Sequence, residues 1–150
     1  MNIRLRINGK WITFTVKPDE FLLDTLRNNQ IISVKKGCDG STCGSCTILL
    51  NNQPVLACSL LSVRADESTI LTVEGHAEEV EKIAVAFGKE GADQCGFCNP
   101  GMALMIIALK QSHKNPTDDE IKHYMVGNLC RCSGYQAQFK AIKRYLEERL

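Results

Sequence analysis

Eight cysteines fall into two sets of four, and the two sets are spaced differently. Cys38, Cys43, Cys46 and Cys58 follow C-x4-C-x2-C-x11-C, whereas Cys95, Cys98, Cys130 and Cys132 follow C-x2-C-x31-C-x-C. No cysteine is left over. Thiols gathered four at a time bind soft metals or pair as disulfides, and both outcomes tie distant parts of a chain together. The fold must therefore carry residue 58 back to residue 38, and residue 132 back to residue 95.

The redox compartment decides between those outcomes. The N-terminus, MNIRLRINGKWITF, has no apolar stretch after its basic residues, so it does not read as a secretory signal. The longest apolar stretch, around Met102–Leu109, is far too short to span a bilayer. The chain reads as cytoplasmic, where thiols stay reduced and cysteine clusters serve metals. A net charge of +1, from 18 basic and 17 acidic residues, gives no electrostatic case for nucleic acid or an anionic membrane surface as partner.

Periodicity divides the chain in two. Ile3, Leu5 and Ile7 alternate with Arg4, Arg6 and Asn8, and Asn8-Gly9 signals a hairpin into a second strand through Trp11–Val16. Pro18-Asp19-Glu20 opens a short helix with Phe21, Leu22, Leu23 and Leu26 on its apolar side. After the cysteine loop Gly37–Cys46 come strands at Thr47–Leu50, Val55–Cys58 and Thr69–Val73. A mixed sheet with one helix and a ligand loop suits a β-grasp domain over 1–75. Residues 76–150 read as helices: Val80–Lys89, Met102–Leu109, one started by Thr117 with Glu120 as a capping box and ended near Gly127, and an amphipathic Gln136–Leu150 with Phe139, Ile142, Tyr145 and Leu146 on one side. The fold class is thus α+β. His76, His113 and His123 read as surface residues, Met102, Met105, Ile106 and Leu109 as core, Trp11 as a hairpin packing residue and Lys35-Lys36 as a solvated loop.

The first spacing is the plant-type [2Fe–2S] pattern, three cysteines in one loop and a fourth further on. Glycines crowd Gly37-Cys38-Asp39-Gly40-Ser41-Thr42-Cys43-Gly44-Ser45-Cys46, so backbone N–H groups can turn toward sulfur and stabilise the reduced, more negative state. In the second set, Cys95-Gly96-Phe97-Cys98 stands at a helix N-terminus, where orphan amides favour negative charge. The one-residue gap of Cys130-Arg131-Cys132 allows that pair to grip one iron while Cys95 and Cys98 grip the other. Structural zinc remains open for the second set, which has one C-x2-C pair, and fits the first poorly. Disulfides and free buried thiols are further alternatives.

Gly37–Cys46, Gln94-Cys95-Gly96-Phe97-Cys98 and Gly127-Asn128-Leu129-Cys130-Arg131-Cys132-Ser133-Gly134-Tyr135 occur in an order that resembles the small iron–sulfur subunit of molybdenum hydroxylases, the family of xanthine dehydrogenase, aldehyde oxidoreductase and carbon monoxide dehydrogenase. The resemblance spans nearly the whole chain. It implies a ferredoxin-like β-grasp domain holding one [2Fe–2S] cluster through Cys38, Cys43, Cys46 and Cys58. A four-helix bundle would hold a second through Cys95, Cys98, Cys130 and Cys132. It also implies a large partner subunit with molybdopterin, contacted by Gln94 and Cys132, and a medium partner subunit with FAD. Electrons would pass singly from the molybdenum site through both clusters to flavin, with no catalytic acid, base or nucleophile on this chain. Asn99, Ser41-Thr42, Asn52 and Ser133 depart from the family pattern without removing a ligand. A free-standing ferredoxin and a zinc-stabilised interaction module are the competing readings.

Overall fold

A computed structural model describes residues 1–148 of the chain. The period-two alternation at the N-terminus gives strand β1 (Asn2–Ile7), with Ile3, Leu5 and Ile7 all buried. Asn8 and Gly9 both take positive φ, 48° and 87°, the geometry that matches a two-residue hairpin to strand twist. The chain returns as β2 (Lys10–Thr15), an edge strand on which only Phe14 is buried. Trp11 packs little there. It is 47% exposed, with the Arg4 guanidinium 4.4 Å from its ring centroid.

Helix α1 (Leu22–Asn28) buries Leu22, Leu23 and Leu26 in one core with Ile3, Leu5, Ile7, Ile48 and Ile70. Strands β3 (Thr47–Leu50), β4 (Gln53–Leu56) and β5 (Thr69–Leu71) complete a five-stranded mixed sheet in the order β2-β1-β5-β3-β4. Among the described residues only the β1–β5 pair is parallel. Asn51 and Asn52 both take positive φ at the β3–β4 turn, so Asn52 fills a position that favours glycine.

Among the described residues four helices follow: α2 (Ala77–Lys89), α3 (Asn99–Ser112), α4 (Asp118–Met125) and α5 (Gln136–Leu146). Mixed sheet plus helices bears out the α+β class. Helix α3 is central, with every residue from Gly101 to Leu109 buried except Met105. Pro100 sits in its first turn, where no intrahelical N–H bond is lost. Thr117 and Glu120 form the expected capping box at the start of α4.

The two halves share core. Adjacent residues of β3 point to opposite faces: Ile48 joins the α1 side, while Leu49 joins the helical core around α3. Helix α3 packs directly on β3 and β4. Leu49 is fully buried, worth about 1.5–3 kcal/mol.

Several boundaries differ from expectation. Strand β5 stops at Leu71, and Val73–His76 form a 3-10 turn leading into α2. Strand β4 ends at Leu56, and Cys58 sits on the following 3-10 turn, Ala57–Ser59. Helix α4 ends at Met125 with Val126 as its C-cap, so Gly127 follows its end as expected, whereas α5 ends at Leu146 rather than Leu150, with Glu148 at φ 53°. The last two residues of that expected helix lie outside the described ones. His76 is not a plain surface residue, since its Nε2 is buried without a partner among the described residues.

Candidate metal centres

All eight cysteines are free thiols. Cys38, Cys43 and Cys46 come from the loop between α1 and β3, and Cys58 from the turn after β4, so the sheet closes the first site from the far side. The four are mutual neighbours: Cys38 contacts Cys43, Cys46 contacts Cys58, and charges on Cys43 and Cys58 are felt by Cys46. The Thr42 amide donates to Cys38 Sγ at 3.4 Å. That N–H, then the Cys43 N–H, brings the Cys38 thiol down to about 6. Cys46 is buried, and burial pushes its thiol up to about 12. Burial also raises Cys58, but the Ser41 hydroxyl and Cys46 outweigh it and the net direction is down. The cradle is tight: a side chain at Gly37 would stand 2.8 Å from Ser45 Oγ and 3.1 Å from Cys43 Sγ.

In the second site, Cys95 and Cys98 precede α3, with Cys98 at its N-cap position, and Cys130 and Cys132 lie between α4 and α5. The strongest thiol contacts run across the two segments, Cys98 with Cys130 and Cys95 with Cys132, with weaker charge interactions inside each segment. Two chain segments lying side by side bring each thiol nearest to one on the opposite strand. Burial pushes Cys98 up to about 12. Burial raises Cys130 too, but the Ser133 hydroxyl, which donates to its sulfur at 3.3 Å, and neighbouring amides bring it to about 7. Cys132 is raised, chiefly by its contact with Cys95. Cys95, Cys132 and Gln94 are exposed, whereas Cys98 is buried.

The donor set is all sulfur, with amide and hydroxyl hydrogens aimed at it. Such sites fit soft thiolate-ligated metal and iron–sulfide groups, whose negative charge these donors stabilise. Among the described residues, no group of three or more Cys, His, Asp or Glu is arranged to hold a single metal ion.

The two sites meet through backbone. The Leu129 N–H donates to the Cys43 carbonyl at 2.9 Å, and Asn128 Nδ2 donates to the Gly44 carbonyl at 3.1 Å. Gly44 has φ +71°, and a Cβ there would lie 2.3 Å from the Gly127 carbonyl oxygen. Gly101 of α3 faces the same loop, with the Gly44 carbonyl oxygen 2.7 Å from where its Cβ would be.

Some of these contributors carry no sequence signal of their own role. Asn128 lies within the cysteine motif, but nothing local says that it reaches residue 44. Tyr135 accepts the Cys130 N–H on its hydroxyl oxygen at 3.0 Å. Gln138 is buried and its Nε2 points at Cys98 Sγ at 3.7 Å. Its signal was a polar residue in step with the apolar face of α5, at i−4 from Ile142. Asn99, a departure from the resemblance, donates from Nδ2 to Asp93 Oδ1 at 2.9 Å and steadies the turn that carries Cys95.

Comparison with known proteins places the chain among relatives. Residues 5–69 match the 2Fe-2S iron-sulfur cluster binding domain family, and residues 72–143 the [2Fe-2S] binding domain family. The chain is 44% identical to the nicotinate dehydrogenase small FeS subunit of Eubacterium barkeri, over 99% of this chain and 96% of that one. It is 37% identical to the xanthine dehydrogenase iron-sulfur-binding subunit of Escherichia coli O157:H7, covering 91% and 88% respectively. Among solved structures, quinoline 2-oxidoreductase from Pseudomonas putida 86 superposes with a TM-score of 0.91 at 38% identity, covering 99% of this chain and 94% of that one. The aldehyde oxidoreductase from Desulfovibrio desulfuricans gives 0.90 at 31% identity, and there this chain corresponds to 17% of a longer one.

Proposed function

This chain belongs to the family of small iron–sulfur subunits of molybdenum hydroxylases, and from that premise we propose that it relays electrons from a large molybdopterin subunit, through two [2Fe–2S] clusters, to FAD on a medium subunit. Cys38, Cys43, Cys46 and Cys58 hold the first cluster. Cys95, Cys98, Cys130 and Cys132 hold the second. The thiol contacts pair Cys98 with Cys130 and Cys95 with Cys132, and the two pairs together would hold the second cluster. When bound, the clusters supply one-electron steps between a two-electron donor and a flavin. The chain's own residues fix the clusters' separation and set their potentials, and they bury one ligand of each set, Cys46 and Cys98.

The observation that carries this reading is the junction. A ligand loop of one set is hydrogen-bonded to a ligand loop of the other, Cys43 carbonyl to Leu129 N–H, one residue from Cys130. A zinc module has no need to hold two sites in direct backbone contact. The exposed edge of the second set, Gln94, Cys95 and Cys132, with Phe97 and Leu129 about half exposed beside it, supports docking of the molybdopterin subunit there. Gln94 and Cys132 would touch the pterin. The half-buried Cys38–Cys58 side would face the flavin subunit. We read 1–75 as the β-grasp domain and 76–150, with α2–α5, as the four-helix bundle. No helix among the described residues is long and apolar enough to cross a membrane, and we propose a cytoplasmic complex.

Affinity purification of the chain from cells that naturally make it is the direct test. Molybdopterin- and FAD-containing subunits should co-purify, and substrate should reduce both clusters before flavin. A colourless monomer that never associates with a larger subunit would overturn the assignment.

A further inference from the structure

We propose that Gln138 is a positioning residue that raises the reduction potential of the second cluster by donating an N–H hydrogen bond to the sulfur of Cys98. The inference rests on the two-cluster reading. Helix α5 buries Gln138, Ala141, Ile142 and Tyr145 on one stripe, and Gln138 is 2% exposed. It borders a cavity of about 370 Å³ whose wall includes Met102, Ile121, Phe139 and Ile142. An amide in such surroundings destabilises the fold unless it is hydrogen-bonded. Here only one end finds a partner. Nε2 lies 3.7 Å from Cys98 Sγ, and Oε1 is buried with no partner among the described residues.

A neutral thiol is a poor acceptor, so a half-satisfied amide would gain little from it. A thiolate is different, because a hydrogen bond to a charged partner is roughly twice as strong as one between neutral groups. The placement is favourable when Cys98 carries negative charge, as a metal ligand does. Burial makes charge at Cys98 costly, which gives a single internal donor more leverage there than at the open Cys132. The reduced cluster carries one more negative charge than the oxidised one. A donor aimed at its ligand sulfur therefore stabilises the reduced form preferentially and moves the potential upward. No bond is made or broken; one electron enters and one leaves.

Gln138→Leu, Gln138→Met and Gln138→Glu are prepared in the complex with its partner subunits, and each cluster is followed by redox titration monitored with electron paramagnetic resonance. In Gln138→Leu and Gln138→Met the second cluster should become harder to reduce by about tenfold, about 59 mV for a one-electron couple. Its partner cluster should stay put. Gln138→Glu, ionised, should shift further in the same direction. An unmoved potential with full iron content overturns the proposal, as does an equal shift of both clusters. Failure of all three variants to load the second cluster would make Gln138 structural and overturn it too. Absence of a second signal from the unaltered complex would sink the two-cluster reading itself.

Discussion

Gly101→Ala should loosen the packing of α3 on the first ligand loop, and Gly88→Ala provides its control. Gly101 is the third residue of α3, and a methyl group there would sit 2.7 Å from the Gly44 carbonyl oxygen, 3.2 Å from Ser45 Cα and 3.3 Å from the Ser45 carbonyl oxygen. All three are backbone atoms of the first ligand loop, so no side chain can rotate aside. Gly88, next to last in α2, has nothing within 4 Å of its would-be Cβ. Each substitution gains up to about 1 kcal/mol of helix propensity, because alanine also has less backbone freedom to lose. That gain nearly cancels between the two variants. The difference isolates the clash, which for an overpacked site is about 1–3 kcal/mol. For a chain of this size, that corresponds to a Tm difference of about 2–12 °C. Thermal unfolding followed by circular dichroism, on samples matched for iron content because bound groups shift stability, reads it directly. Gly88→Ala should melt above the unaltered protein and Gly101→Ala below Gly88→Ala. Equal melting of the two variants would refute the close packing of α3 on the Gly44–Ser45 backbone.

Cys43→Ser should abolish the signal of the first cluster and block turnover with a flavin-linked acceptor, while substrate still reduces the second; normal flavin-linked turnover would contradict the assigned order. Gln94→Ala should leave both clusters loaded and slow electron entry from the pterin by about 10–100-fold, as loss of an outer contact does at other metal sites; rapid-freeze kinetics with unchanged rates would remove Gln94 from the site. Glu79 accepts hydrogen bonds from Lys82 and the Tyr145 hydroxyl, which together hold its carboxyl down to about 2 from an ordinary 4.5. A carboxyl lowered on folding contributes stability above its unfolded value, and that contribution drains away as pH falls from about 4.5 towards 2. The stability advantage of the unaltered protein over Glu79→Gln, read from urea midpoints, should therefore shrink across that window; a constant difference would show that the carboxylate charge contributes nothing.

Much of the fold was legible because short-range physics wrote it. Alternation at Ile3, Leu5 and Ile7 set a strand, Asn8-Gly9 set its turn, and Thr117 with Glu120 set a helix start. The cysteine spacings announced two sites for the same reason. What stayed hidden depends on packing between distant segments. Period two says that Ile48 and Leu49 face opposite ways, but not that α3 covers one of those faces. Spacing gathers Cys95, Cys98, Cys130 and Cys132, yet which thiols meet depends on how two segments lie side by side, and the contacts proved to cross between them. Helix ends shifted where local geometry overrode periodicity, as at Leu146. That Gln138 is buried and reaches Cys98 depends likewise on how α5 packs beside α3.

Iron and acid-labile sulfide analysis of the anaerobically purified chain, joined to electron paramagnetic resonance of the reduced sample, tests the central claim most directly. About four irons, about four sulfides and two distinct signals per chain are expected from two [2Fe–2S] clusters. Zinc in place of iron, or sulfide-free metal at these eight cysteines, would contradict it.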